Sequence, residues 1–302
     1  MGIDWAILAI LHSASQGWIS ILDKYNSSRL VQEVRTYYLL LGALSIPVGV
    51  AVLLLAPFPE NVPLMAIFKA ILGSLALGAA LMLMFKVYRT HEVSRVVPIT
   101  QSYPIFVAII ATLFLGEHIG IASWACILIT VVGVILISLQ RTPGKSSIAL
   151  GRPFILMLLA SFGIAIFNIL SKSALAHISV WNMYAINDLA VGASFIAMSL
   201  KKTIMLEASQ VMRRPQSMAM VVAVLLVNLI GATLLFASLE NGPVSLVSTI
   251  AGTRPVFVFV YALLLSYILP RFLQEQLTRR VFALKSVSIA MIVGGGSGLV
   301  LV

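Results

Sequence analysis

Charge is scarce in this chain. Only 10% of its 302 residues are Asp, Glu, Lys or Arg, against roughly 25% in an ordinary soluble domain. No polar stretch is long enough to fold as a soluble domain, so an appended catalytic module is excluded. The one cysteine, Cys126, excludes an intramolecular disulfide and a cysteine metal cluster, and it leaves the redox compartment unread. The four histidines, His12, His91, His118 and His177, are scattered over different segments. No clustered carboxylates and no nucleophile with a base stand out either, and catalysis at a membrane site would need one of these. The glycine run GGGSG at 294–298 lies inside an apolar segment and lacks the Lys-Ser/Thr ending of a phosphate loop. It reads instead as a place where helices approach closely. The chain is therefore read as a non-enzyme with no cofactor and no metal.

Apolar residues dominate what is present: 60% are hydrophobic and the mean hydropathy is +1.06. Stretches of about 20 apolar residues mark membrane helices, and ten occur, at 4–22, 37–56, 64–87, 93–115, 120–139, 153–171, 180–200, 218–239, 244–269 and 281–302. The first resembles a secretory signal but has no basic leader, its only early charge being Asp4; it is read as a retained helix. The net charge of +10 is not spread evenly. Of the 20 Lys and Arg residues, all but Lys69, Lys172 and Arg254 fall in the odd-numbered connections or their margins. Basic loops stay cytoplasmic, so the charge reports topology, gives no ground for a nucleic-acid partner, and predicts both termini outside the cytoplasm.

The fourth span, RVVPITQSYPIFVAIIATLFLGE, is interrupted by Pro98 and Pro104 with Gln101 and Ser102 between them. Proline removes an amide donor and clashes with the preceding turn, which makes this an unusual lipid-embedded helix. Setting Pro104 on Pro255 aligns it with PVSLVSTIAGTRPVFVFVYALLL, so that Val93, Ser94, Phe106 and Val107 fall on Val244, Ser245, Phe257 and Val258. A second alignment, offset by 148 residues, sets ISILDKY on FNILSKS and Lys24 on Lys172. The expected fold is thus an all-α integral membrane protein of ten transmembrane helices in two five-helix repeats, 1–142 and 143–302. Five is odd, so the second copy enters the membrane inverted. Inverted repeats with broken helices build the midplane sites of secondary transporters, and irregular backbone at that depth is tolerated only against protein or a water-filled cavity. A proline kink that merely improves packing is the alternative; recurrence of the break in both halves favours a cavity wall.

Together, the tenfold span pattern, VSRVVPITQSYPIFVAIIATLFLGE with its closing Gly116 and Glu117, and SFGIAIFNILSKSAL at the opening of the second half resemble the EamA-like branch of the drug/metabolite transporter superfamily. The resemblance implies a carrier of small metabolites with a central cavity lined largely by helices 1, 3, 4, 6, 8 and 9. Two departures accompany it. Gly-Glu is not repeated in place after span nine, where Glu275 is a shifted counterpart. Similar proteins have cytoplasmic termini and a basic loop between helices 2 and 3, but here that loop, APFPENVP, carries no Lys or Arg, and the charge count favours the inverted orientation.

Ionisable residues at membrane depth are expensive and mark function by default. His12, Asp188 and Arg254 stand near span centres. The guanidinium of Arg254, between Thr253 and Pro255, suits a carboxylate or phosphate-like group; pairing with Asp188 and direct substrate contact both stay open. His12 titrates near neutrality and could carry a coupling proton, or it could bond a neighbouring helix. With Gln16 and Trp18 it makes span one polar. Asn168 and Asn228 could be cavity residues or interhelical partners; Tyr88, Tyr103 and Trp18 could stack on a solute or pack. Lys24 and Lys172, equivalent in the repeat, are expected as gates near opposite faces, with interfacial anchoring as the alternative. The partners implied are a small-molecule substrate and the bilayer, with a homodimer left open. A secondary transporter is the expected function; an integral membrane enzyme, a lipid-handling protein and a non-transporting scaffold are the rivals.

Overall fold

A bilayer core offers no water to backbone amides, so an apolar chain closes its hydrogen bonds within helices. The structure, a computed structural model, describes residues 4–88, 99–138, 152–268 and 279–301. Its helices are α1 (Asp4–Arg29), α2 (Val34–Leu55), α3 (Leu64–Tyr88), α4 (Tyr103–Ile110, continued by a π turn Ala111–Leu115), α5 (Ile121–Ser138), α6 (Arg152–Leu175), α7 (Val180–Met198), α8 (Lys202–Met212), α9 (Pro215–Asn241), α10 (Val244–Ala251), α11 (Arg254–Ile268) and α12 (Arg279–Leu301). No strand occurs among the described residues. Among the described residues six segments are long and apolar enough to cross a bilayer: most of α1 and α3, all of α2, α6 and α9, and α10 with most of α11 taken together. Helix α7 is not one of them; it buries Asn182, Asn187 and Asp188 against the bundle instead of showing lipid a uniformly apolar surface.

Helices fall where the apolar runs do, with two differences. Helix α1 runs past the expected end at 22 to Arg29, so Asp23 and Asn26 are helical. Helix α8 has no counterpart among the expected spans: it is short and amphipathic, burying only Ile204, Ala208 and Val211. The first part of the fourth span, with Pro98, and the expected boundary at 142/143 lie outside the described residues.

Packing joins the two halves throughout. Helix α1 lies against α9, α3 against α6, α2 against α7, α5 against α12 and α4 against α10. At the α2–α7 crossing the backbones touch: a Cβ on Gly42 would lie 2.7 Å from the Gly192 carbonyl oxygen, so any side chain there would push the helices apart. Two ends of the bundle result. At the first face the Trp5 carbonyl accepts from Ser238 Oγ at 2.7 Å and Asn182 Nδ2 donates to the Ala56 carbonyl at 2.6 Å. At the second face Ser199 Oγ donates to the Arg35 carbonyl at 3.0 Å. The start of α1 and the end of α12 share the first face.

Candidate functional site

Proline creates the site by what it withholds. Pro255 has no amide proton for the Ala251 carbonyl one turn back, and the chain turns at Gly252 and Thr253 between α10 and α11. Ser13 of α1, fully buried, places its Oγ 2.9 Å from the Ile250 oxygen and 3.2 Å from the Ala251 oxygen. Thr253 Oγ1 donates to the same Ile250 carbonyl at 2.7 Å. Pro104 opens the Thr100 carbonyl in the same way, and Ser161 of α6, also fully buried, donates to it at 3.3 Å. Ser102 Oγ lies 3.2 Å from Ser161 Oγ and donates to the Ile99 carbonyl at 2.7 Å. Ser161 follows Ser13 by 148 residues, and Thr253 follows Ser102 by 151, as Pro255 follows Pro104. Ser13 of α1 thus caps the break before α11, and Ser161 of α6 caps the break before α4.

Arg254 opens α11 directly after one break. Its Nε donates to Ser20 Oγ on α1 at 2.6 Å, and its charge acts on His12, Asp23 and Tyr103. Asp23 Oδ1 accepts from Tyr37 of α2 at 2.6 Å, and Asn26 Nδ2 lies 3.5 Å from both Tyr37 Oη and the Met220 carbonyl oxygen. A cation and a carboxylate therefore share one polar lining along α1. Hydropathy misses Asp23 because the apolar run ends at Leu22. The signal is nonetheless in the sequence: His12, Gln16, Ser20 and Asp23 recur at four, four and three residues, one face of a helix.

Asp188 does not join this group. Its Oδ2 accepts from Tyr184, one turn back on α7, at 3.1 Å, and its carbonyl oxygen accepts from Ser45 of α2. Helix α7 is held against α2 by the glycine crossing while Arg254 faces α1, so the expected alternative of an Arg254–Asp188 pair is not formed. His12 Nδ1 bonds the Gly231 carbonyl of α9 at 2.7 Å, and Gln16, half-buried, lies beside the same glycine. Tyr103 donates to the Ser248 carbonyl at 3.0 Å. Asn168 donates to the Ile164 carbonyl of its own helix. Gln101 and Asn228 are half-buried. Trp18 stacks edge-on with Tyr261 and is 37% exposed. The side chains of Lys24 and Tyr88 lie outside the described residues.

The first face is closed by a charged clasp. Gly116 takes φ 67°, a left-handed conformation suited to glycine, and reverses the chain after α4. Glu117 is thereby carried to the start of α10, where it accepts from the amides of Val244 and Ser245 and from Ser245 Oγ at 2.6, 3.3 and 2.6 Å. A carboxylate at a helix N-terminus satisfies amides that have no intrahelical acceptor and complements the helix dipole. Lys172 of α6 donates to the carbonyls of Leu239, Gly242 and Glu240 at 2.6, 3.0 and 3.1 Å, holding the other arm of the α9–α10 turn. A cavity of about 120 Å³ lies beside Glu117, His118 and Ser245, and one of about 320 Å³ lies at the second face beside Gln32 and Glu207. Neither is lined by residues of the breaks.

The model of the EamA-like transporter family matches residues 3–139. None of the curated proteins matches the chain. Twenty-seven chains of solved structures do; one crystal structure, 15% identical, superposes with a TM-score of 0.64 over 98% of this chain and 95% of that chain, a likeness of fold alone. With its apolar helices, the match makes this a multi-pass membrane protein. Residues 3–139 thus match the EamA-like transporter family, a member of the drug/metabolite transporter superfamily.

Proposed function

We propose that this chain is a secondary transporter carrying a small organic metabolite across the cytoplasmic membrane by alternating access between two inverted five-helix repeats. The observation that carries the reading is the reciprocal clasp of the breaks, Ser13 on Ile250 and Ala251, Ser161 on Thr100. Two equivalent, polar-capped interruptions at the meeting of the halves are what a site approached from either side requires. The cross-half pairing of α1 with α9 and α3 with α6 supports the repeat, because the 148- and 151-residue offsets exchange one pair for the other.

Arg254 favours a carboxylate or phosphate-like group on the solute. Asp23, held by Tyr37 in the same lining, favours a cationic group, and together they fit a zwitterionic, amino-acid-like solute. Asp188 and His12 are the candidates for carrying a coupling proton. Counterflow in proteoliposomes tests the function: a panel of labelled amino acids and small carboxylates should yield at least one solute that accumulates against preloaded unlabelled solute. Uptake at the level of empty vesicles for every solute that stabilises the protein to heat would remove the transporter reading in favour of a binding or scaffold role.

Orientation follows from the charges. Among the described residues, the connections that carry Arg29, Arg35, Lys201, Lys202, Arg213 and Arg214 belong to the second face, which we assign to the cytoplasm with both termini opposite. A C-terminal alkaline phosphatase fusion should then be active and a C-terminal green fluorescent protein dark. Bright fluorescence without phosphatase activity would reverse the orientation.

A further inference from the structure

We propose that α8 is a lipid-reading helix, lying along the headgroup boundary of the leaflet at the second face and binding anionic phospholipids through Lys201, Lys202, Arg213 and Arg214. Position is the first reason. Helix α7 ends at Met198 and α9 begins at Pro215, so α8 is tied at both ends to the tips of buried helices. Its buried stripe is Ile204, Ala208 and Val211; Ala208 and Val211 cluster with Tyr37, Leu40 and Val221, which lie one to two turns inside the ends of α2 and α9. With a rise of about 1.5 Å per residue, that is the depth at which acyl chains give way to headgroups.

The uncovered surface of α8 is the second reason. Leu200, Met205, Leu206 and Met212 are 65, 54, 55 and 52% exposed, a cost in water that acyl chains would remove. Thr203, Glu207 and Gln210 flank the second-face cavity with Gln32 and Glu33, beside Ile204 and Leu206, so this flank is mostly polar while the one that carries Met205 and Met212 is apolar. Cations close both ends of the helix, and all four are exposed. An apolar flank bracketed by Lys and Arg is the pattern of a helix that lies in an interface and attracts anionic lipid. The partner is therefore a phospholipid of negative headgroup, not a soluble anion, since a soluble anion would leave the apolar flank in water.

Binding there would reach the bundle through Glu207, whose carboxylate accepts from the Gln32 amide at 2.5 Å and from Thr36 Oγ1 at 2.6 Å and so holds the first turn of α2. The inference needs no transport activity and stands apart from the proposed function.

The test is thermal unfolding of the full chain in nanodiscs of phosphatidylcholine alone and of equimolar phosphatidylcholine and phosphatidylglycerol. Phosphatidylglycerol should raise the melting temperature, and the fourfold variant K201Q/K202Q/R213Q/R214Q should lose that increment while keeping its melting temperature in phosphatidylcholine. High salt should erase the increment in the unaltered protein, because exposed charges are screened within about 3 Å at 1 M; this arm stands even where the fourfold variant does not fold. An equal increment in the variant, or one indifferent to salt, overturns the proposal. So does an equal increment from glycerol phosphate added to protein in phosphatidylcholine discs, which would identify a soluble-anion site instead.

Discussion

Arg254→Gln should abolish counterflow of the transported solute and weaken its binding by about 10- to 100-fold, the equivalent of the roughly 1.5–3 kcal/mol carried by a hydrogen bond to a charged group. The protein should still fold. An arginine at the bilayer centre costs roughly 3 kcal/mol on insertion scales, and glutamine keeps a donor for Ser20, which Arg254 Nε now reaches at 2.6 Å. Arg254→Lys should recover part of the binding, since it restores the charge without the planar fork. Binding left unchanged in Arg254→Gln would move the anionic pole of the solute elsewhere. In the same vesicles Asp188→Asn should leave binding intact and uncouple accumulation from a pH gradient; pH-driven accumulation equal to that of the unaltered protein would leave Asp188 as a structural partner of Tyr184 only.

Lys172→Met should open the first face. The lysine holds three carbonyls of the α9–α10 turn, and a buried acceptor left without a donor costs about 1–3 kcal/mol, so the closed state should lose about 10- to 100-fold in population. Glu117→Ala should act in the same direction by releasing the first amides of α10. Because both residues hold one turn, their effects should not add. Labelling of a cysteine placed at Ser238, buried against Trp5 at this face, in a Cys126→Ser background would report the change as a faster reaction in each variant. Unchanged rates would reduce Lys172 and Glu117 to helix caps.

Much of the helical layout was legible because bilayer physics leaves few choices: a run of apolar residues becomes a helix, and Pro104 and Pro255 interrupt one wherever they stand. Polar groups were harder. Asp23 was hidden by an apolar run that stops at Leu22 although the helix continues to Arg29; hydropathy marks where lipid begins, not where hydrogen bonding ends. The partner of Asp188 depends on which face of α7 meets α2, and that is set by the contact of Gly42 with Gly192, a long-range fact with no local signature. Ser13 and Ser161 look like ordinary small residues in apolar helices. Only their positions opposite the two proline breaks show what they do. Helix α8 escaped because eleven residues with a half-apolar pattern resemble a loop between two spans.

The two faces should open in alternation around the clasped breaks. Electron-spin distance measurements on two label pairs, His118 with Asn241 at the first face and Gln32 with Gln216 at the second, all four exposed, test it most directly in a Cys126→Ser background. A transported solute should shift the two distance distributions in opposite senses, and Lys172→Met should lengthen the first pair while shortening the second. Distributions that widen together, or that ignore both solute and substitution, would contradict it.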